Sequence, residues 1–316
     1  EKDVFHERLS PKINFHPNKN SNYLSLRKLR SLLKLIKSHD VIHVHLFPPF
    51  YIVAFLSFFV KNKTFVYTEH NTFNFRRKKI FKGMEWLVYS RYDHVVCISE
   101  GTKQALTSWM GKSVRSNVIN NAINLKEIAQ AKALSKIDLN IPEDCIALCM
   151  VGRFQEQKDQ DTLIKALELL PEKYVLLLLG EGERESLLRK HVETAGLVDR
   201  VRFLGIRNDV YRVLKACDYG VLSSHWEGFG IVALEYMACG ILALGSDLEG
   251  LKEVIGKESC LFQPQDHKDL AGRILDFESN LLEYEDSKNW QQQHLQNFDI
   301  ANAVKRHFEV YRLKNN

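Results

Sequence analysis

Apolar residues along the chain fall into two alternating spacings. Short runs rich in β-branched and aliphatic residues recur at 12–15, 41–46, 64–68, 94–98 and 118–120. They continue at 146–151, 174–179, 201–204, 219–222, 242–244 and 259–262. Each reads as a strand. Between them, apolar residues stand three and four apart. Leu26, Leu29, Leu33 and Ile36 form one stripe with Arg27, Lys28, Arg30, Lys34 and Lys37 off it, which predicts an amphipathic helix. Ile300, Val304, Phe308 and Tyr311 predict a last helix over 299–313 whose apolar stripe packs on a neighbour. Strands alternating with helices specify parallel sheets covered on both faces, the α/β class.

A chain of 316 residues, 45% of them hydrophobic, has enough apolar material for two cores. A polar stretch at 126–144, carrying Pro142, separates the halves. The expected units are therefore 1–140, 141–298 and the terminal helix 299–316, with two Rossmann-like domains facing a cleft. Open α/β sheets hold ligands at the carboxyl ends of their strands, so that cleft is the default site. The first half starts on a charged loop and a helix, without the glycine-rich strand-to-helix turn that opens such a domain. The expectation is a truncated N-terminus.

Charge divides the halves further. Residues 1–140 hold 23 lysines and arginines against 10 aspartates and glutamates, while the remainder is acidic and the whole chain carries +5. A basic first half calls for an anionic partner. The longest apolar run, 47–60, is too short to span a bilayer, and the charged first residues do not form a signal peptide. Six scattered cysteines without a CxxC pair read as reduced core residues of a cytoplasmic protein.

Candidate chemistry concentrates in the second half. EGFGIVALE (227–235) follows a strand and opens a helix. Gly228 and Gly230 let the backbone approach a ligand, and the first helical amides favour a phosphate. Glu227 and Glu235 would flank that anion with carboxylates able to accept from the hydroxyls of a ribose and a sugar. VGRFQEQK (151–158) puts Arg153 and Lys158 after another strand, where two cations can neutralise a diphosphate. LGEGE (179–183) and FLG, ending at Gly205, are turns that can line the donor pocket through backbone groups. Asp159-Gln160-Asp161 spells DxD but supplies a helix N-cap more simply, so no metal is assigned.

The succession GRFQEQK, LGEGE, FLG, SSHWEGFGIVALEYMACG and LKEVI resembles the C-terminal domain of glycosyltransferase family 4, retaining enzymes of the GT-B fold. DVIHVHL, VYTEHN, VVCISEGTKQAL and VINNAIN are similar to that family's first domain, with Ala122 and Asn124 replacing its usual glycine and aspartate. The resemblance implies that Arg153 and Lys158 hold a donor diphosphate and that Glu235 binds the ribose. It implies that Glu227 and the Gly228, Phe229 and Gly230 backbone, running into Ile231 and Val232, hold the transferred sugar. It further implies that His70 is the cleft histidine and that the final helix crosses back onto the first domain. The reaction implied is transfer from a nucleoside diphosphate sugar, UDP-linked, to a hydroxyl of a saccharide or lipid-linked acceptor in cell-envelope polysaccharide synthesis, with no cofactor.

On the strand at 41–46, His43 and His45 are expected on opposite faces, one in the core and His45 towards the cleft. Arg76, Arg77, Lys78, Lys79 and Lys82, with Phe73, Phe75, Phe81 and Trp86 nearby, introduce a helix with Ile80, Met84, Leu87 and Val88 on one face. That cluster fits either peripheral contact with an anionic membrane, at the inner face of the cytoplasmic membrane, or a solvated basic face on a packed helix. The rival functions are a nucleotide-sugar epimerase of similar build and a non-catalytic nucleotide-sugar-binding protein. A nucleic-acid partner is not expected, because no recognition module is present.

Overall fold

The computed structural model describes residues 10, 12–16, 25–72 and 77–313. Part of the aromatic and basic run, Phe73, Phe75 and Arg76, lies outside them. The run at 12–15 is turn and coil, not strand. In sequence it is bracketed by Pro11 and Pro17, and Ile13 and Phe15 are exposed, so the run adds no strand to either sheet.

The strands form two parallel sheets. The first contains β1 Val41–His45, β2 Thr64–Glu69, β3 His94–Cys97 and β4 Ser116–Val118, side by side in chain order. The second contains β5 Ile146–Val151, β6 Tyr174–Leu179, β7 Val201–Gly205, β8 Tyr219–Leu222, β9 Leu242–Ser246 and β10 Leu261–Phe262. Its spatial order is β10-β9-β8-β5-β6-β7. The chain winds outward one way from β5, returns, and winds outward the other way from β8. That reversal opens a crevice beyond the carboxyl ends of β5 and β8. Strand β6, YVLLLL, is buried along its whole length, as a central parallel strand covered on both faces must be. All six cysteines are free thiols; Cys97, Cys149, Cys217 and Cys260 are buried. Among the described residues no helix is long and apolar enough to cross a membrane.

The chain returns to the first sheet at its end. Ile123 N–H donates to Phe298 O, and Ile300 N–H donates to Ile123 O at 3.0 Å. Asp299 caps the helix Ile300–Arg312, which lies on β2 and β3 through Val310, packed with Val66, Val96 and Ile119. The buried side is not the expected stripe. Ala303, Val310 and Tyr311 face the sheet, whereas Ile300, Val304 and Phe308 are exposed. A small residue at 303 lets the helix approach closely, an advantage that counting large apolar positions overlooks.

Candidate active site

The loops after β5 and β8 are stitched into one structure at the crevice. Ser223 Oγ donates to Asp159 O at 2.7 Å, His225 N–H to Gln157 O at 2.8 Å, and Gln157 Nε2 to Trp226 O at 2.8 Å. The Lys158 ammonium meets the Glu227 carboxylate, which also accepts from Ser224 Oγ at 2.8 Å. Both side chains of this ion pair are largely buried. Arg153, beside them in the β5 loop, is exposed, and no ion pair holds its guanidinium among the described residues.

A third loop supports this one. Gly180, at φ +136°, follows β6, and a β-carbon there would stand 2.1 Å from Gly152 O; one on Gly182 would stand 2.3 Å from Phe154 O. The LGEGE turn is therefore a backbone brace under the Gly152–Arg153 turn. Gly205 ends β7 at φ +64°, and its carbonyl accepts from Gly180 N–H at 2.9 Å.

After Glu227 the chain turns through Gly228 and Phe229 to Gly230, which opens the helix Ile231–Ala238 from a left-handed conformation, φ +74°. The Phe229 ring is buried against Phe298, so this residue has only its backbone to offer a ligand. Ile231 is exposed and Val232 half-buried at the helix start, where the leading amides have no partner within the helix. Glu235 lies half-buried one turn further on and accepts from Tyr211 Oη at 3.2 Å. Burial raises its pKa above the usual carboxylate value, and the Tyr211 bond offsets this in part.

The DxD carboxylates are engaged within the protein. Asp159 caps the helix Gln160–Leu169 through Thr162 N–H and Oγ1, and Asp161 pairs with Arg184 at 2.5 Å and His191 at 3.0 Å.

The first domain closes the site from the other side. His70, just beyond β2, abuts the β8 loop through its carbonyl, which a β-carbon at Gly228 would approach to 2.3 Å. Ser99 Oγ donates to Gly228 O at 3.0 Å, and Glu253 accepts from Glu100 N–H at 2.8 Å and from Asn120 Nδ2. Behind His70 lies a histidine cluster. His45 Nδ1 and His70 Nε2 are 3.1 Å apart, and the His43 and His45 rings stand 4.3 Å apart. The expectation of opposite faces is corrected here: residues two apart share one face of a strand, and buried Val44 between them takes the other. His43 Nδ1 bonds Tyr311 Oη of the terminal helix at 2.6 Å and its Nε2 bonds Thr68 Oγ1 of β2 at 2.7 Å, so its two nitrogens tie that helix to the sheet. Burial, then the neighbouring histidines, push His43 down to about 3 and His45 to about 4; burial also lowers His70. His43 and His45 therefore favour the neutral form at pH 7.

A family profile described as Glycosyl transferases group 1 matches residues 132–295, and one described as Glycosyltransferase Family 4 matches residues 1–127. The chain belongs to glycosyltransferase family 4.

Two curated relatives of this family 4 chain bear on the site. One, 34% identical over 158 residues, is a lipopolysaccharide core biosynthesis glycosyltransferase of Rhizobium meliloti; the match covers 50% of the chain and 45% of the relative. A second, 26% identical over 245 residues, is an Escherichia coli UDP-Gal:alpha-D-GlcNAc-diphosphoundecaprenol alpha-1,3-galactosyltransferase; it covers 71% of the chain and 62% of the relative. The matches thus span about half to three-fifths of these relatives' lengths. The fold superposes on Anabaena HepE in complex with UDP and glucose, with a TM-score of 0.81 and 21% identity over 90% of this chain and 81% of that one. The two facing sheets and the returning helix are those of the GT-B fold.

Sequence reasoning missed several supports of this candidate site. Tyr211 on Glu235, Ser224 on Glu227, Gln157 between the loops and His45 on His70 all depend on tertiary approach. Ser224 alone had a local signal, three residues before the glutamate it bonds.

Proposed function

We propose that this family 4 glycosyltransferase transfers a hexosyl unit from a UDP-linked sugar to a hydroxyl of a saccharide or lipid-linked acceptor. The transfer retains anomeric configuration, needs no metal ion, and serves assembly of a cell-envelope polysaccharide. The observation that carries this reading is the Lys158–Glu227 pair at the β5/β8 crevice, beside the start of the helix Ile231–Ala238 and under the His70 segment. The name of the E. coli relative, a UDP-Gal:alpha-D-GlcNAc-diphosphoundecaprenol galactosyltransferase, offers a precedent for a UDP-sugar donor and a lipid-linked acceptor.

The roles follow from charge and placement. A diphosphate at the helix start takes the Lys158 ammonium, the Arg153 guanidinium and the leading amides around Ile231 and Val232. Drawing Lys158 away leaves Glu227 to accept from sugar hydroxyls, while Glu235 accepts from the ribose. As the C1–O bond to the diphosphate breaks, negative charge grows on oxygens already faced by these fixed donors, so they stabilise the transition state more than the ground state. The acceptor oxygen bonds to C1 from the same face, and its proton passes to the departing diphosphate oxygen. His70, neutral and held by His45, orients the sugar by hydrogen bonding rather than acting as the base.

The test is to incubate the chain with UDP-hexoses and saccharide or lipid-linked acceptors, reading UDP release and the anomeric configuration of the product. Arg153→Ala and Lys158→Ala should each remove most turnover. Wild-type rates in both variants would refute the site, and a new nucleotide sugar without UDP release would identify an epimerase.

A further inference from the structure

Two neighbouring helices of the first domain turn large apolar side chains outward. Across the turn Lys79–Phe81 and the helix Lys82–Tyr89, Ile80, Met84 and Leu87 succeed one another at spacings of four and three and form one stripe. They are 84%, 48% and 49% exposed, while Glu85 and Tyr89 form the buried side. A helix packed in the ordinary way buries its apolar stripe; this one presents it to solvent. Alongside, the helix Pro49–Leu56 and the turn Ser57–Phe59 expose Phe55, Phe58 and Phe59, each at 57%. The two elements are fastened together. Tyr51 Oη donates to Glu85, and Arg91 Nε donates to Ser57 Oγ at 2.9 Å with its guanidinium 4.3 Å from the Phe58 ring.

Among the described residues of these two elements, the outward-facing charges are all basic. Lys78, Lys79 and Lys82 are exposed, and Trp86 stands on the same side of the helix as Lys79 and Lys82. Glu85, the one acid of the helix, points inward. An exposed apolar surface of this extent marks an interaction site. Here the apolar stripe has a lysine and tryptophan flank, which matches a bilayer boundary: aliphatic and aromatic groups enter the acyl region, tryptophan sits at headgroup level, and lysines meet anionic headgroups. A second copy docked symmetrically through this face would set one basic surface against another, with no outward-facing acid on either element to pair Lys78, Lys79 and Lys82. We propose that this surface docks the protein peripherally on an anionic lipid bilayer.

Co-sedimentation of the full chain with vesicles tests this directly. Vesicles of phosphatidylcholine with one quarter phosphatidylglycerol should bind it, pure phosphatidylcholine vesicles should bind it at least tenfold more weakly, and raising the salt should weaken binding. Met84→Ser with Leu87→Ser, and separately Lys79→Glu with Lys82→Glu, should each reduce binding at least tenfold, with roughly fivefold expected per lysine lost. All four positions are exposed, so melting temperatures should stay at the wild-type value. Equal binding to neutral vesicles, undiminished binding by either double variant, or a dimer in sedimentation velocity that the Met84→Ser, Leu87→Ser variant abolishes would overturn the proposal.

Discussion

The carbonyl oxygen of His70 and the α-carbon of Gly228 touch across the two domains, so closely that a β-carbon on residue 228 would stand 2.3 Å from that oxygen. The loop that carries Glu227 is thereby wedged beneath the segment that carries the cleft histidine. Gly228→Ala must push these backbones apart, at a cost of about 1–3 kcal/mol. The expected result is a lower melting temperature and a loss of nucleotide affinity of tenfold or more. Gly272→Ala is the control: its β-carbon meets nothing within 4 Å, and both properties should be unchanged or slightly improved.

The Lys158–Glu227 pair separates stability from binding. Lys158→Ala leaves a largely buried carboxylate with Ser224 as its remaining donor, which should cost about 3 kcal/mol. Adding Glu227→Gln removes the stranded charge and should restore most of the melting temperature. It should not restore turnover, because the cation for the diphosphate is still missing. Recovery of both together would show that Lys158 is structural only.

The brace under the Arg153 turn is equally testable. Gly180→Ala adds a β-carbon 2.1 Å from Gly152 O at a φ of +136°. Space and backbone conformation both oppose it, and a loss of several kcal/mol is expected. Urea unfolding should show a large drop in midpoint with an unchanged slope.

Acid should act through the histidine cluster. His43 and His45 sit at about 3 and 4 in the folded protein against an ordinary value near 6.5, because burial opposes their charge. Between pH 6.5 and 4 the unfolded chain therefore binds protons that the folded chain refuses, so stability is full above pH 6.5 and falls as pH falls through that window. Melting temperature should drop from pH 7 to pH 5, less steeply than the two histidines alone would give, because Glu85, raised by burial to about 7, takes up a proton in the folded chain over the same range. His45→Asn should make that drop shallower; an unchanged slope would remove the cluster from the explanation.

Much of the fold was legible because parallel strands buried on both faces write themselves as continuous apolar runs. Those at 146–151, 174–179 and 219–222 coincide with β5, β6 and β8. The run at 12–15 joins neither sheet, and local pattern cannot register that. The order of the second sheet, which sets β5 beside β8 and so assembles the Lys158–Glu227 pair, is a tertiary outcome with no local signature. Glycine spacing did mark the turns at 180–182 and 228–230, since only glycine permits those backbone approaches. The histidines were misplaced by reading alternation along β1 as opposition; the period of a strand puts His43 and His45 together.

We propose that the crevice beyond β5 and β8 binds a UDP-sugar. Calorimetric titration of the chain with UDP, beside the Glu235→Ala variant and with GDP as the competing base, addresses it most directly. Micromolar-range binding of UDP that Glu235→Ala weakens at least tenfold, with GDP much weaker, is the expected result. Equal UDP affinity in wild type and variant would show that the nucleotide does not sit against Glu235 in this crevice.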